Sequence, residues 1–129
     1  MASVNKVEDL IVWQKSRELV KLIFTLTSKE VFAKEYFLKD QAKRSAISIM
    51  SNISEGYGRG GNKEFVQFLY IANGSLNELK AQTYIALDFN LITEQNLNEV
   101  FELMTAIELM IKSLAKKLKE SEFQGTKFK

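Results

Sequence analysis

The stretch SNISEGYGRGGNKEF, residues 51–65, decides how the chain is read. Gly56, Gly58 and Gly61 satisfy the spacing G-x-G-x-x-G of a dinucleotide-binding turn. That turn needs a strand before it and a second strand ending in a ribose-binding acid. Here the residues before it carry Leu38, Ala42, Ala46, Ile49 and Ile53 on one helical face, and no strand pattern is legible on either side. A P-loop fails as well, because Asn62 separates Gly61 from Lys63 where lysine must follow glycine directly. The glycines therefore predict a turn between two helices. Positive φ angles would close the first helix, and Gly61 or Asn62 would cap the second. Arg59, Lys63 and the free amides of that second helix form a candidate anion site at the same place.

Four periodic stretches surround this turn. The first covers about residues 9–28, with Val12, Leu19, Val20, Ile23 and Leu26 recurring at helical spacing. Asp9 is placed to accept its first free amides. The segment VFAKEYF, residues 31–37, lacks a clean period and reads as a connector holding Phe32 and Tyr36 against the bundle. The second helix runs from about Phe37 to Tyr57. The third spans Asn62 to Asn90, with Phe65, Phe68, Leu69, Ala72, Leu76, Leu79, Thr83 and Ala86 on one face. The fourth begins at Thr93, an N-cap with Glu94 in the first turn. Its stripe is Leu97, Val100, Phe101, Met104, Ile107, Ile111, Leu114 and Leu118. No proline interrupts any of them. Short connections favour antiparallel neighbours. The expectation is an all-α, antiparallel up-and-down four-helix bundle over residues 1–120, followed by a flexible basic tail at 121–129.

Composition narrows the function. A chain of 129 residues, 46% hydrophobic and 26% charged, suits one domain. No run approaches the roughly 18 apolar residues of a membrane span, and MASVNKVEDL lacks a signal-peptide apolar core, so a cytoplasmic protein without membrane contact is expected. There is no Cys and no His. Thiol chemistry, the commonest general base and the commonest metal ligand are thus unavailable. No cofactor, metal or catalytic residue is assigned, and the chain is read as a non-enzyme.

Two helices carry a second stripe. On the second helix Gln41, Arg44, Ser45, Ser48, Asn52 and Glu55 share a face. On the third the residues are Gln67, Ile71, Gly74, Glu78, Ala81, Gln82 and Ile85. Gly74 in mid-helix costs on the order of 1 kcal/mol relative to alanine, for which close approach of another helix is the usual compensation. The stripes fit a solvated face, a buried polar network that sets helix register within or between subunits, or a carboxylate pair of Glu55 with Glu78. Apolar residues on a second face argue for self-association.

Charge is unevenly placed along the chain. Residues 1–63 hold 11 basic and 7 acidic groups, residues 64–111 hold 1 and 7, and residues 112–129 hold 6 and 2. A basic surface can arise on a nearly neutral protein this way. The candidate nucleic-acid-binding residues are Lys15, Arg17, Lys21, Lys39, Lys43, Arg59, Lys63, Lys112, Lys116, Lys117 and Lys119. No stacking aromatics are interleaved with these lysines along the chain in the manner of single-strand binders.

Three segments, DLIVWQKSRELV, QAKRSAISIMSNISEGYGR and KEFVQFLYIANGSLNELK, together resemble the 23S rRNA intervening-sequence proteins, also described as ribosomal-protein-like. The resemblance covers nearly the whole chain. It implies an antiparallel four-helix bundle, commonly a ring-like homopentamer, with no catalytic activity. Related proteins serve as accessory factors of diversity-generating retroelements, where a basic pentamer binds a reverse transcriptase and nucleic acid. This chain is less basic than those factors. By position, Trp13, Gln41, Arg44, Ser48, Asn52, Glu55, Gly56, Arg59, Phe65, Phe68, Gly74, Ser75 and Glu78 occupy the family's motif places, and they read as structural or interface residues. Two functions follow as expectations. One is an RNA- or DNA-associated accessory protein; the other is a protein-interaction scaffold that does not touch nucleic acid.

Overall fold

The computed structural model describes residues 4–123. Four long helices form the bundle: α1 (Ile11–Thr27), α3 (Tyr36–Arg59), α4 (Asn62–Asp88) and α5 (Glu94–Phe123), with a short α2 (Glu30–Ala33) between the first two. These four are the helices expected from the periodicity. Helix α3 packs on α1 and α4, and α5 packs on α4 and α1, closing the ring. Contacts between opposite ends show that neighbours run antiparallel. Trp13 at the start of α1 bonds Ser54 near the end of α3, and Asn62 at the start of α4 bonds Leu118 near the end of α5.

The core is built from the expected stripes. Leu19, Ile49, Ile53, Leu69, Leu76, Leu79, Met104, Ile107 and Ile111 are fully buried, so every long helix contributes. Two buried hydroxyls are satisfied by their own helices: Thr27 donates to Ile23 O at 2.8 Å and Thr83 to Leu79 O at 2.7 Å. This local pairing lets both threonines sit in the core with their hydroxyls satisfied.

The ends of the helices separate local signals that worked from those that did not. Thr93 caps α5 as expected: its Oγ1 accepts from Asn96 N at 3.0 Å, and Asn96 Oδ1 accepts in return from Thr93 N at 3.0 Å. Thr93→Ala should cost about 1 kcal/mol, read as a lower midpoint in thermal denaturation; an unchanged midpoint would argue against the cap. Asp9 does not cap α1. It sits in a 3-10 turn (Val7–Asp9) and accepts from the amides of Asn5 and Lys6 behind it, so Leu10 precedes the helix. Phe32 is buried as expected, but Tyr36 opens α3 and is exposed, because α2 turns the connector before that ring can reach the core. Helix α4 ends with Asn90 at φ 61°, Leu91 N donating to Ala86 O and Asn90 N to Leu87 O. Asparagine tolerates this left-handed cap better than most residues. At the other end of the chain, α5 continues to Phe123, so the expected tail begins inside a helix and residues 124–129 lie outside those described.

The glycine stretch is a turn, but a shorter one than its sequence suggests. Helix α3 runs straight through Gly56 and Gly58. Only Gly60, at φ 88°, and Gly61, in extended conformation, connect it to α4. Gly56 serves packing instead. A Cβ built there would lie 2.7 Å from Phe68 Cβ and 2.9 Å from Phe65 Cδ1, so the missing side chain lets α3 and α4 approach.

Candidate functional site

Ser48, Asn52, Gly56, Phe65, Phe68 and Ser75, six of the motif positions, lie along the seam between α3 and α4. Ser48 and Ser75 face each other at 2.7 Å between hydroxyl oxygens, and Asn52 donates to both the carbonyl and the hydroxyl of Ser48. This links the two helices through a small polar network, one of the arrangements expected for the stripe. Glu55 does not pair with Glu78. It binds Arg59 one turn later, at 3.0 Å, and both carboxylates are exposed. Gln41 is half-buried and Arg44 exposed on the same side of α3. The seam is a fastening with a wet outer edge.

Among the described residues, a Cβ built at Gly74 would meet nothing within 4 Å. The glycine is exposed at the centre of an outward stripe on α4 with Gln67, Glu78 and Ala81. Ile71 and Ile85 lie on the same stripe and are 51% and 43% exposed, and Tyr70 and Tyr84 flank it at 51% and 48%. The compensation expected for a mid-helix glycine is therefore absent within one copy of the chain.

The candidate cations fall into separate groups. Arg17 and Lys21 lie one turn apart on α1, and Lys39 and Lys43 one turn apart on the neighbouring α3. Aromatic rings lie beside three of these cations in space. The Arg17 guanidinium sits 5.9 Å from the Trp13 ring, Lys43 Nζ 4.4 Å from Phe24 and Lys39 Nζ 5.1 Å from Tyr36. Trp13 is itself fixed by its Nε1–H donating to Ser54 Oγ at 2.8 Å. The result is a face on which cations and rings alternate, with Asp40 an exposed acid nearby on α3. The α4/α5 side holds a second group, a groove of about 320 Å³ lined by Tyr70, Lys112, Ala115, Lys116, Lys119 and Glu120.

The remaining candidates stand apart. Lys15 pairs with Glu18 at 3.5 Å on another side of α1. Lys117 borders an apolar groove between α1 and α5 with Leu10, Ile11 and Leu109. Arg59 lies 5.0 Å from the Phe68 ring as well as against Glu55, while Lys63 is exposed in the first turn of α4. The turn thus offers a potential anion an already engaged guanidinium and one free-standing ammonium, with Lys63 and Arg59 drawn to no common point by any contact.

Phe24, Ser54 and Tyr70 were not singled out from sequence, and Tyr36 was expected against the bundle rather than beside a lysine. Two of the pairings were within reach of the sequence: Trp13 with Arg17 at i,i+4, and Tyr36 with Lys39 at i,i+3, are neighbours on any helix. Phe24 with Lys43 and Tyr70 with Lys119 join different helices, and no spacing along the chain announces them.

No helix among the described residues is long and apolar enough to cross a membrane. No curated protein matches the chain. The fold is similar to the crystal structure of a protein of unknown function from the S23 ribosomal protein family of Bacteroides thetaiotaomicron. That likeness has a TM-score of 0.72 at 26% identity, covering 82% of this chain and 99% of the other. Neither that description nor the family's names an enzymatic activity. The family described as 23S rRNA-intervening sequence protein matches residues 8–113, a span from the turn before α1 to well into α5 that takes in the whole α3/α4 seam and the glycine turn, and the chain belongs to that family.

Proposed function

We propose that the protein is a non-enzymatic, self-associating accessory factor that grips single-stranded nucleic acid, RNA in the first place, through the α1/α3 face. The observation that carries this reading is the meeting of Arg17, Lys39 and Lys43 with the rings of Trp13, Tyr36 and Phe24, with Lys21 exposed one turn from Arg17. Cations that neutralise phosphates release counterions, and rings beside them accept bases by stacking whatever the base. Such a grip is tolerant of sequence and sensitive to salt. The exposed stripe around Gly74 supports self-association, and the ring of five implied by the family resemblance would repeat the face. Repetition raises affinity by about 10²-fold or more without new contacts. A reverse transcriptase or another protein in the same cytoplasmic complex is the further partner this reading allows.

The test is fluorescence anisotropy of a labelled 20-nucleotide oligouridylate at 50 and 200 mM salt. If the four cations neutralise four phosphates, the affinity should fall about 50-fold between the two conditions, from a slope of about 0.7 per phosphate on single strands. Reversing Arg17, Lys21 and Lys43 to Glu together should abolish binding at the lower salt, with circular dichroism unchanged. Absence of RNA and DNA binding at 50 mM salt would discard the proposal.

A second reading rests on the α4 stripe, whose apolar residues need no nucleic acid: a scaffold that recruits a protein. A partner retained through nuclease treatment and high salt, with no RNA bound, would favour it.

A further inference from the structure

We infer that the groove between α4 and α5 is a second nucleic-acid subsite, a pocket for one unstacked base and its phosphate, with Tyr70 as the platform. This deepens the nucleic-acid reading and rests on it.

The groove lies across the bundle from the α1/α3 face, since α4 and α5 form the opposite side of the ring. Tyr70 is 51% exposed, and Lys119 Nζ sits 4.9 Å from its ring centroid. Lys112, Lys116 and Lys119 follow one another at spacings of four and three, which aligns them on one edge of α5. Lys63 stands on the same side of α4 as Tyr70, two turns earlier. The ion pair of Lys112 with Glu108 is 3.3 Å long, with the lysine side chain 65% exposed; a pair so open to water is readily exchanged for a phosphate. Glu120 is the acid lining the groove, against three lysines. The volume, about 320 Å³, stands at the small end of ligand pockets. An exposed ring with one lysine over it and two more along the same groove offers a base a surface to stack on, or to exchange with that lysine, and gives its backbone cations to meet. An acidic peptide would be met by the lysines alone and would have no use for the ring.

The consequence is geometric. A strand that fills both faces must pass around the bundle or run between two copies, so the protein would hold nucleic acid bent or bridged.

The experiment uses the full chain and two labelled probes at 50 mM salt: a 12-nucleotide oligouridylate and a ribose-phosphate oligomer of equal length without bases. Tyr70→Ala should weaken the oligouridylate about tenfold, the scale of one lost stacking contact, and leave the abasic probe unchanged. Tyr70→Phe should bind like the original protein. Lys116→Ala with Lys119→Ala should weaken both probes. If Tyr70→Ala leaves oligouridylate affinity intact, or weakens both probes equally, the subsite is overturned. Loss of binding on reversing Arg17, Lys21 and Lys43, with Tyr70→Ala silent, would remove the subsite and leave the α1/α3 reading standing. Failure of the original protein to bind either probe would remove both. A polyglutamate peptide that binds the groove regardless of Tyr70 would overturn it in favour of a protein ligand.

Discussion

Gly56→Val is expected to destabilise the bundle by about 3 kcal/mol, at the upper end of overpacking costs. In a domain of this size that lowers the thermal midpoint by about 10 °C. The reason is local. A Cβ at Gly56 would stand 2.7 Å from Phe68 Cβ and 2.9 Å from Phe65 Cδ1, and neither neighbour is the free end of a flexible chain. Phe65 is 8% exposed and its ring packs edge-on to Tyr57 at 6.0 Å, so it can turn towards the open space beside it only by giving up that contact. Phe68 Cβ is fixed to the α4 backbone and cannot turn aside, so the helices must separate, which loosens the Ser48–Ser75 contact two turns away. Gly58→Ala is the control. Nothing lies within 4 Å of a Cβ there, and the residue is helical, so alanine should stabilise by up to about 1 kcal/mol. Equal midpoints for Gly56→Val and the original chain would show that α3 and α4 do not approach as closely as described.

Gly74→Leu should act in the reverse sense on one chain and destructively on the assembly. Within a single bundle the site is open, so replacing a mid-helix glycine should raise the stability of the isolated chain by roughly 0.5–1 kcal/mol. If a second copy seats against the stripe, the added side chain fills the hollow that the partner occupies. Association should then weaken by more than about tenfold, an overpacking cost of 1.4 kcal/mol or more. Light scattering at fixed concentration should show the mass moving towards the 14.8 kDa of one chain. An assembly unchanged by the substitution would place the interface elsewhere. An original chain that remains single at every concentration would end the proposal of self-association, and with it the gain from repeated faces.

These two glycines also show how far local reading carries. Gly74 was noticed because glycine is costly inside a helix, with close approach as the expected compensation, whereas Gly56 was noticed only as part of a glycine-rich turn. At Gly56 the neighbour is present. At Gly74 the neighbour is missing from the described residues. Nothing within a few residues of either position distinguishes them: what differs is which helix lies opposite. Thr93 behaved differently, because a cap is made within four residues and needs no partner beyond its own first turn. Asp9 had the right chemistry in the wrong frame. Its carboxylate found the amides of Asn5 and Lys6 sooner than those of α1, a competition between two short-range choices that residue type alone does not resolve.

The candidate surfaces follow the same division. The eleven cations were legible as a set, since charge needs no fold to be counted. Their grouping into an α1/α3 face, an α4/α5 groove and isolated residues was not, and neither was the meeting of Lys43 with Phe24 or Lys119 with Tyr70. What residue order by itself determined was the number of long helices, the stripe each one buries and the place where α3 gives way to α4, because a repeat near 3.6 residues and a left-handed glycine are properties of the backbone over a few positions. What tertiary structure alone decided was which outer faces became neighbours and which were left without one. Packing joins residues far apart along the chain, and the energy that selects those joins comes from burying the inner stripes, to which the outer cations and rings contribute little.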